Sequence, residues 1–184
     1  KAEFCGSCHN IFHSVNQFPI EHTYDEWKNS PYGQADIPCQ DCHMVPVDVA
    51  IQVADRMVRA KDVPNHGLGG IAAKGAKKER EIVHDHGFVG GNSVIAAALG
   101  VPGAEEHKAE AIKRLQNAAD LDMDVKKGKG GANELRIKVT NLRAGHHLPT
   151  SLTFIRRIWL DVAITDDQGR VLLRSGELDA HNRV

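Results

Sequence analysis

The hydrophobic pattern of the chain changes in its last third, from irregular and helix-like segments to alternation. Two stretches alternate apolar with polar residues, at Leu135, Ile137 and Val139 and again at Ile158, Leu160, Val162 and Ile164. Residues 166–169 (DDQG) then carry a turn signal, and residues 170–174 continue as its return strand. The pattern predicts a small antiparallel β unit that forms one side of a sandwich.

The clearest helical pattern covers residues 105–121. Pro102 and Gly103 precede it, and acidic residues in its first turn complement the helix dipole. We expect Glu110 to pair with Arg114 one turn later. The apolar residues recur at helical spacing and predict a buried stripe of Ala109, Ile112, Leu115 and Ala119.

Three shorter segments carry weaker helical signals. Thr23 with Glu26 three positions later is a capping-box pattern, so we expect a short helix that ends at Pro31. Residues 49–58 form either a short helix or an extended arm. Residues 93–99 form a brief helix that Gly100 closes.

These segments together predict an α+β protein with two parts. Residues 1–125 form a loop-rich half with short helices and one amphipathic helix. Residues 126–184 form the antiparallel, sandwich-like β unit, which packs on that half. The 184 residues suffice for one domain or two small ones.

Charge and hydropathy argue against several classes of partner. The 23 basic and 24 acidic side chains nearly balance, which argues against nucleic acid or an anionic membrane surface. No apolar run approaches the roughly 20 residues needed to span a bilayer. We therefore expect no transmembrane segment.

Two short motifs carry the candidate chemistry. Residues 5–9 (CGSCH) and 39–43 (CQDCH) each read C-x-x-C-H, the attachment signature of c-type haem. Two thiols add to the two vinyl groups of one porphyrin edge, and the following histidine binds the iron as proximal ligand. The motifs contain every cysteine of the chain. The sequence therefore predicts two covalent haems, attached at Cys5, Cys8, Cys39 and Cys42, with His9 and His43 as proximal ligands.

Two other uses of the cysteines fit less well. A four-cysteine zinc site usually separates its two pairs by about 15–20 residues, and here the gap is longer. A C-x-x-C pair mostly closes redox-active rather than structural disulfides. Neither use explains why a histidine directly follows both pairs.

The second motif lies within a longer stretch that resembles a known family. Residues 23–44 (TYDEWKNSPYGQADIPCQDCHM) are similar to multihaem c-type cytochromes of the cytochrome c554-like group, in which an E-W-x-x-S segment precedes a C-Q-D-C-H-M haem site. Residues 86–92 (HGFVGGN) are similar to the family's H-x-F-x-G-G-N segment, and residues 139–151 (VTNLRAGHHLPTS) to its T-N-x-x-x-G-H-x-L-P-T segment. This chain has only two haem motifs, so the dense haem stacking of larger relatives is not implied.

The second axial ligand decides what each iron can do. Besides the two proximal histidines the chain has many further histidines but only three methionines, and Met44 points away from the iron of its own motif. This favours bis-histidine ligation, and the resemblance marks His86 and His146 as the two distal ligands. His66 and His84 compete for the first of these roles, and His147 and His22 for the second.

Residues 145–150 lie between two predicted strands and therefore form a loop at the edge of the β unit. Gly145 permits a close approach, and Pro149 fixes the backbone just after the histidines. We expect this loop to hold His146 against an iron, while His147 points to a hydrogen bond or a propionate.

Two six-coordinate irons cannot bind substrate, so outer-sphere electron transfer is the expected function. We predict a dihaem electron carrier, alone or as a repeating subunit of an extracellular haem wire, with other redox proteins or identical subunits as partners. The alternative is a reductase- or peroxidase-type haem enzyme with one open iron. Because haem is attached outside the cytoplasm, we expect a periplasmic or extracellular protein whose leader has been removed.

Overall fold

The computed structural model of the chain describes residues 1–181 and residue 183, and these residues confirm the α+β class. The helices are α1 (Ala2–Gly6), α2 (Thr23–Lys28), α3 (Pro31–Gln34), α4 (Gln40–His43), α5 (Val47–Arg56), α6 (Ile95–Ala98) and α7 (Ala104–Gln116). The strands pair consecutively into two-stranded antiparallel sheets: β1 (Ile11–Phe12) with β2 (Pro19–Glu21), β3 (Gly70–Ile71) with β4 (Glu79–Arg80), β5 (Ala119–Lys127) with β6 (Asn133–Asn141), and β7 (Val162–Thr165) with β8 (Val171–Ser175). None of the described helices is both long and apolar enough to cross a membrane.

Residues 49–58, for which the sequence allowed either a helix or an extended arm, belong largely to the helix α5. This helix supplies much of the core of the N-terminal part. Its buried face belongs to one cluster, made of Ile37, Val45, Val49, Ala50, Val53, Ala60 and Val63. Burying an aliphatic side chain of valine or isoleucine size contributes roughly 1.5–3 kcal/mol. The helix α4 packs against α5, and Cys42 of α4 lies at the edge of this cluster. The core therefore fixes the position of the second motif.

The helix predicted at residues 105–121 forms as α7 but ends at Gln116, and the predicted apolar stripe is wrong. Ile112 and Leu115 are exposed, whereas Ala104 and Ala111 are buried. Alanine lets α7 approach its neighbours closely, and this close packing outweighs the burial of the larger side chains. Tertiary packing has thus rotated the helix away from its apolar pattern.

The buried face of α7 also carries two polar side chains, His107 and Arg114. The pair expected between Glu110 and Arg114 does not form as a salt bridge among the described residues. Glu110 instead accepts a hydrogen bond from the backbone N–H of Val47 at 3.2 Å, which joins α7 to the first residue of α5.

The strand β5 was not predicted. Its first residues were expected to end the helix at 105–121, and its last residues to belong to a linker. Its sequence ADLDMDVKK does alternate, and it pairs with β6 from Ala119 opposite Asn141 to Lys127 opposite Asn133. The expected boundary between residues 125 and 126 therefore falls inside a hairpin. The β unit begins at Ala119.

The second hairpin is shorter than its pattern suggests. The predicted turn at 166–169 and its return strand form, but residues 156–161 are irregular, so the alternation at Ile158 and Leu160 produces no strand. The partner strand β8 ends at Ser175, and Gly176 then adopts a left-handed conformation (φ 86°) that interrupts further pairing. The described β unit is two separate hairpins, not one side of a sandwich.

The predicted helix after residue 22 forms as α2, but its capping box does not. His22 occupies the N-cap position without a side-chain cap. The side chains of Thr23 and Glu26, which would form the box, instead make contacts to the distant loop at residues 145–151. Pro31, expected to end this helix, begins α3, with Ser30 as its cap.

Candidate functional site

The two C-x-x-C-H motifs lie side by side. The amide of Gln40, inside the second motif, donates to the backbone oxygen of Lys1 at 2.9 Å and lies 3.7 Å from Cys5 Sγ. Burial, the neighbouring Cys5 and a hydrogen bond with that thiol raise the pKa of Cys39 to about 12. Burial likewise raises the pKa of Cys42 to about 11. The two motifs are therefore neighbours, and all four cysteines are free thiols.

The second motif is anchored by its own aspartate. Asp41 is 1% exposed and accepts hydrogen bonds from Arg59 Nε at 2.5 Å and from the backbone N–H of Ala60 at 3.1 Å. Its other oxygen lies 3.1 Å from His84 Nε2. A buried carboxylate is tolerated only when it is paired in this way. The contact also commits the Nε2 atom of His84 to Asp41 rather than to an iron.

The ring of His43 is prepared for ligation through one nitrogen. Its Nδ1 atom lies 2.9 Å from the backbone oxygen of Val89, so the N–H at Nδ1 donates and Nε2 is left as a lone-pair donor. Burial, with a further effect of the Arg114 charge, lowers the pKa of His43 to about 4. The ring is therefore neutral near pH 7, which is the protonation state that a metal requires.

His146 lies beside His43, and the two rings are nearly parallel. The two ring centroids are 6.2 Å apart and the ring planes differ by 17°. Two imidazoles on opposite sides of one metal have centroids roughly 6 Å apart, since each contributes about 2 Å of metal–nitrogen bond and about 1 Å to its centroid. The Nδ1 atom of His146 lies 3.0 Å from the backbone oxygen of His147, so its Nε2 is also left free.

The loop that carries His146 is fixed at several points. An added Cβ at Gly145 would lie 3.2 Å from Cδ2 of Tyr32, so glycine is needed for this close approach. Asn141, the last residue of β6, donates from its amide to the backbone oxygen of His146 at 2.7 Å. Its own side-chain oxygen accepts from the backbone N–H of Ala144 at 3.1 Å. The loop position is therefore set by both parts of the chain.

Two buried carboxylates of the N-terminal part hold the far side of this loop. Glu26 Oε2 accepts from the backbone N–H of His147 at 3.0 Å and from Thr150 Oγ1 at 2.6 Å. Glu21 accepts from the hydroxyl groups of Thr23 and Ser151. Although burial acts to raise it, these hydrogen bonds bring the pKa of Glu21 below its ordinary value. The loop is thus docked on carboxylates.

The first motif has a looser surround. The side chain of His9 is 59% exposed, and its Nδ1 atom lies 3.6 Å from Glu21 Oε1. This separation is longer than a hydrogen bond, so the carboxylate does not fix the orientation of the ring. Glu21 therefore lies near the histidine of the first motif while it binds the loop that carries His146.

The described contacts do not bring a predicted distal histidine to His9. His86 is exposed, with its ring 5.8 Å from that of Phe88. His66 accepts a hydrogen bond at Nδ1 from the backbone N–H of Leu68 at 3.0 Å, so its proton lies on Nε2. The placement of His86 as a ligand thus stays a prediction.

The two alternates to His146 share one cleft with it. His22, His146, His147 and Glu26 line a cleft of about 550 Å3 between α2 and the loop. The Nδ1 atoms of His22 and His147 lie 3.4 Å and 3.3 Å from Glu26 Oε1. Both alternates are therefore directed at the carboxylate, and among these three only His146 contacts His43 in the described structure.

Several residues of the site were missed in the sequence analysis. Glu21, Glu26 and Asn141 hold the His146 loop, and Arg114 lies near Cys42 and His43. Glu26 could have been identified from the sequence, because it is the glutamate of the E-W-x-x-S segment that resembles the cytochrome family. For the others, only the packing of distant segments reveals their role.

Comparison with family models, curated proteins and solved structures found no match to this chain. The resemblance to the cytochrome c554-like group therefore depends on the sequence blocks alone.

Proposed function

We propose that the chain is a dihaem c-type cytochrome that transfers electrons. Cys5 and Cys8 would hold one haem with His9 as ligand, and the residues 39–43 would hold the other with His43. Each haem, when bound, takes up and releases one electron at its iron. The observation that carries the proposal is the pair His43 and His146, facing each other at 6.2 Å behind a C-x-x-C-H motif.

The side chains around the second motif fit a haem. Among the described residues, Arg114 Nε and Nη2 and His107 Nδ1 are buried without a hydrogen-bond partner. Buried polar atoms are rarely left unpaired. A guanidinium matches the geometry of a carboxylate such as a haem propionate. Arg114, close to Cys42 and His43, is the residue we expect to hold one.

The surface near the first motif also fits a large apolar group. Phe4, directly before Cys5, is 81% exposed, and Phe12, in the hairpin that follows the motif, is 42% exposed. Both side chains leave apolar surface available to a bound group. A porphyrin attached at Cys5 and Cys8 would provide a flat apolar partner for them.

Electron transfer is favoured over catalysis by the second site. With His43 and His146 on opposite sides, the iron there would have no open position for a substrate. The residues of the chain then set the haem spacing, the orientation of the imidazoles and the exclusion of water.

A haem enzyme is the second candidate, and it is favoured by one observation at the first motif. The described contacts place no second imidazole beside His9, whose side chain is largely exposed. One open iron there would suit a reductase or peroxidase. Carbon monoxide binding to the unmodified protein distinguishes the two candidates.

Partners and location follow from the same proposal. We propose a periplasmic or extracellular protein that exchanges electrons with other redox proteins or with identical subunits, including subunits of a filament. The hairpin β5–β6 supports a protein partner, because its exposed apolar residues share one face: Leu121, Met123, Val125 and Val139. Sedimentation over a range of concentrations tests self-association, and a monomer at the highest concentration argues against the filament.

The experiment has two stages. The chain is produced with haem-attachment machinery, and its mass after denaturation should exceed that of the polypeptide by two haems. The His146→Ala variant should then convert one haem to a high-spin form that binds carbon monoxide, while His147→Ala leaves both haems low-spin. A single haem per chain, or an unchanged spectrum in His146→Ala, contradicts the proposal.

A further inference from the structure

Glu26 lies where the loop of His146 meets the N-terminal part. It is not among the residues that the proposed function uses to hold a haem. Its side chain is only 3% exposed. One oxygen accepts the backbone N–H of His147 and the hydroxyl of Thr150. The other lies 3.3–3.4 Å from the Nδ1 atoms of His147 and His22. In the described structure, the side chain of Glu26 thus contacts only hydrogen-bond donors and imidazoles.

The contacts of Glu26 fall on the loop immediately after His146. The backbone N–H it binds belongs to the next residue, and the hydroxyl it binds is four residues along the chain from His146. The carbonyl of His146 itself is held from the other side by Asn141. The backbone of His146 is therefore fixed between a carboxylate of α2 and an amide of β6, which leaves its ring few ways to turn from His43.

Glu26 also keeps His147 from competing with His146. The two histidines are adjacent, and either could reach toward an iron if the loop were free. The backbone N–H and the Nδ1 atom of His147 both lie at Glu26. The contact turns the ring of His147 toward Glu26, whereas the ring of His146 lies 6.2 Å from that of His43. Nε2 of His147 stays free, so the selection depends on the direction of the ring and not on an occupied nitrogen.

We propose that Glu26 is a positioning residue that selects His146, rather than His147, as the distal ligand of the haem attached at Cys39 and Cys42. The inference depends on the proposed function, since it assumes that haem. The hydrogen bonds to residues 147 and 150 restrict the loop before ligation, so less conformational freedom is lost when the iron–imidazole bond forms.

The test compares Glu26→Ala with Glu26→Gln in the haem-loaded protein. Carbon monoxide binds the reduced iron only after the distal imidazole leaves, so its half-saturating concentration reports how firmly that imidazole is held. Loss of charge-assisted hydrogen bonds should lower this concentration about tenfold in Glu26→Ala. Glu26→Gln retains one acceptor oxygen, so its half-saturating carbon monoxide concentration should lie close to that of the unmodified protein.

Two further variants keep the result interpretable. Asp25→Asn changes the charge of the adjacent residue of α2 and should leave carbon monoxide binding unchanged. Thr150→Val removes one of the hydrogen bonds to Glu26, together with the contact to Thr23 Oγ1, so it should shift binding in the same direction, by less, even if Glu26→Ala does not fold. In the His146→Ala background, Glu26→Ala should cause no further change.

The outcomes separate the two proposals. If His146→Ala opens one haem but Glu26→Ala and Thr150→Val bind carbon monoxide as the unmodified protein does, the positioning role is wrong and the proposed function stands. If His146→Ala opens neither haem, the ligand assignment fails and Glu26 has no ligand to position. If Glu26→Ala in the His146→Ala background further raises affinity, Glu26 acts by another route and the inference is overturned.

Discussion

At the scale of single residues, buried carboxylates hold the site together in addition to the apolar core. Asp41, Glu21 and Glu26 are carboxylates with little exposed surface, and each binds donors from distant segments. Removing one partner of such a buried network leaves the others without compensation. These residues are therefore where single substitutions should have their largest effects.

Asp41→Ala should destabilise the protein by roughly 3 kcal/mol, because it leaves Arg59 and the N–H of Ala60 without their acceptor. Denaturant unfolding followed by circular dichroism measures the change. Asp36→Asn is the matched control, since the carboxylate of Asp36 lies 4.0 Å from the same arginine but is almost fully exposed, and asparagine tolerates the left-handed backbone there (φ 54°). It should change the free energy of unfolding by less than about 0.5 kcal/mol. Equal effects of the two substitutions contradict the anchoring role of Asp41.

If the proposed haem is attached at Cys39 and Cys42, Arg114→Gln should lower its reduction potential by roughly 50–100 mV. The positive guanidinium disfavours the more positive oxidised iron, and its loss also leaves the expected propionate unpaired. Spectroelectrochemical titration measures the shift. Lys113→Gln removes an equal charge from the preceding residue of α7, whose ammonium pairs with Asp48 on the surface, and should shift the potential far less.

At the scale of elements, short hydrogen-bonded turns keep the β hairpins in register. In the β7–β8 hairpin, Asp166 accepts from the backbone N–H groups of Gln168 and Arg170 and from Arg170 Nε. This is the pattern by which aspartate begins a turn. The turn was predictable because all its partners lie within four residues.

The Asp166 turn should weaken in acid. Its hydrogen bonds from the backbone and side chain of Arg170 lower the pKa of Asp166 below its ordinary 3.8. The stabilisation is therefore complete above pH 3.8 and is lost as the pH falls through the lower folded value. Amide chemical shifts of residues 168 and 170 should follow this titration. Asp166→Asn should abolish it and Asp167→Asn should not. A midpoint above 3.8 would falsify the prediction.

At the scale of the whole molecule, the β5–β6 hairpin docks on the N-terminal part next to the site. Arg143, two residues beyond β6, forks onto Asp55 of α5, with Nε–Oδ1 at 2.6 Å and Nη2–Oδ2 at 3.3 Å. It also donates to the backbone oxygen of Asn117 at 3.3 Å, just after α7. One guanidinium thus joins three elements beside the His146 loop.

Arg143→Lys should destabilise this docking by about 0.5–1 kcal/mol, because lysine cannot reproduce the fork and the pair is partly exposed. Hydrogen exchange should speed up in residues 141–151 while the amides of α5 stay protected. Arg136→Lys serves as the control, since its partner Glu134 is on the same strand. Faster exchange in both variants, or in neither, argues against a docking role for Arg143.

The sequence by itself determined the features whose signals lie within a few residues. The two C-x-x-C-H motifs, the turn at 166–169 and the strand β6 all depend on spacing along one short segment, and the glycine before His146 marked the close approach at Tyr32. The alternation of apolar and acidic residues in β5 was also present in the sequence. Its residues were nevertheless assigned to the end of a helix and to a linker.

Only the tertiary structure decided the contacts between distant segments. Packing of α7 turned Arg114 and His107 inward against the apolar pattern, because small alanines fit the neighbouring helices where Ile112 and Leu115 do not. Thr23 and Glu26 do not form the expected capping box of α2. Their side chains instead bind a loop more than a hundred residues away. The different directions of the His22, His146 and His147 rings follow from that docking. A local pattern records what a segment can form alone, whereas the site depends on which segments meet.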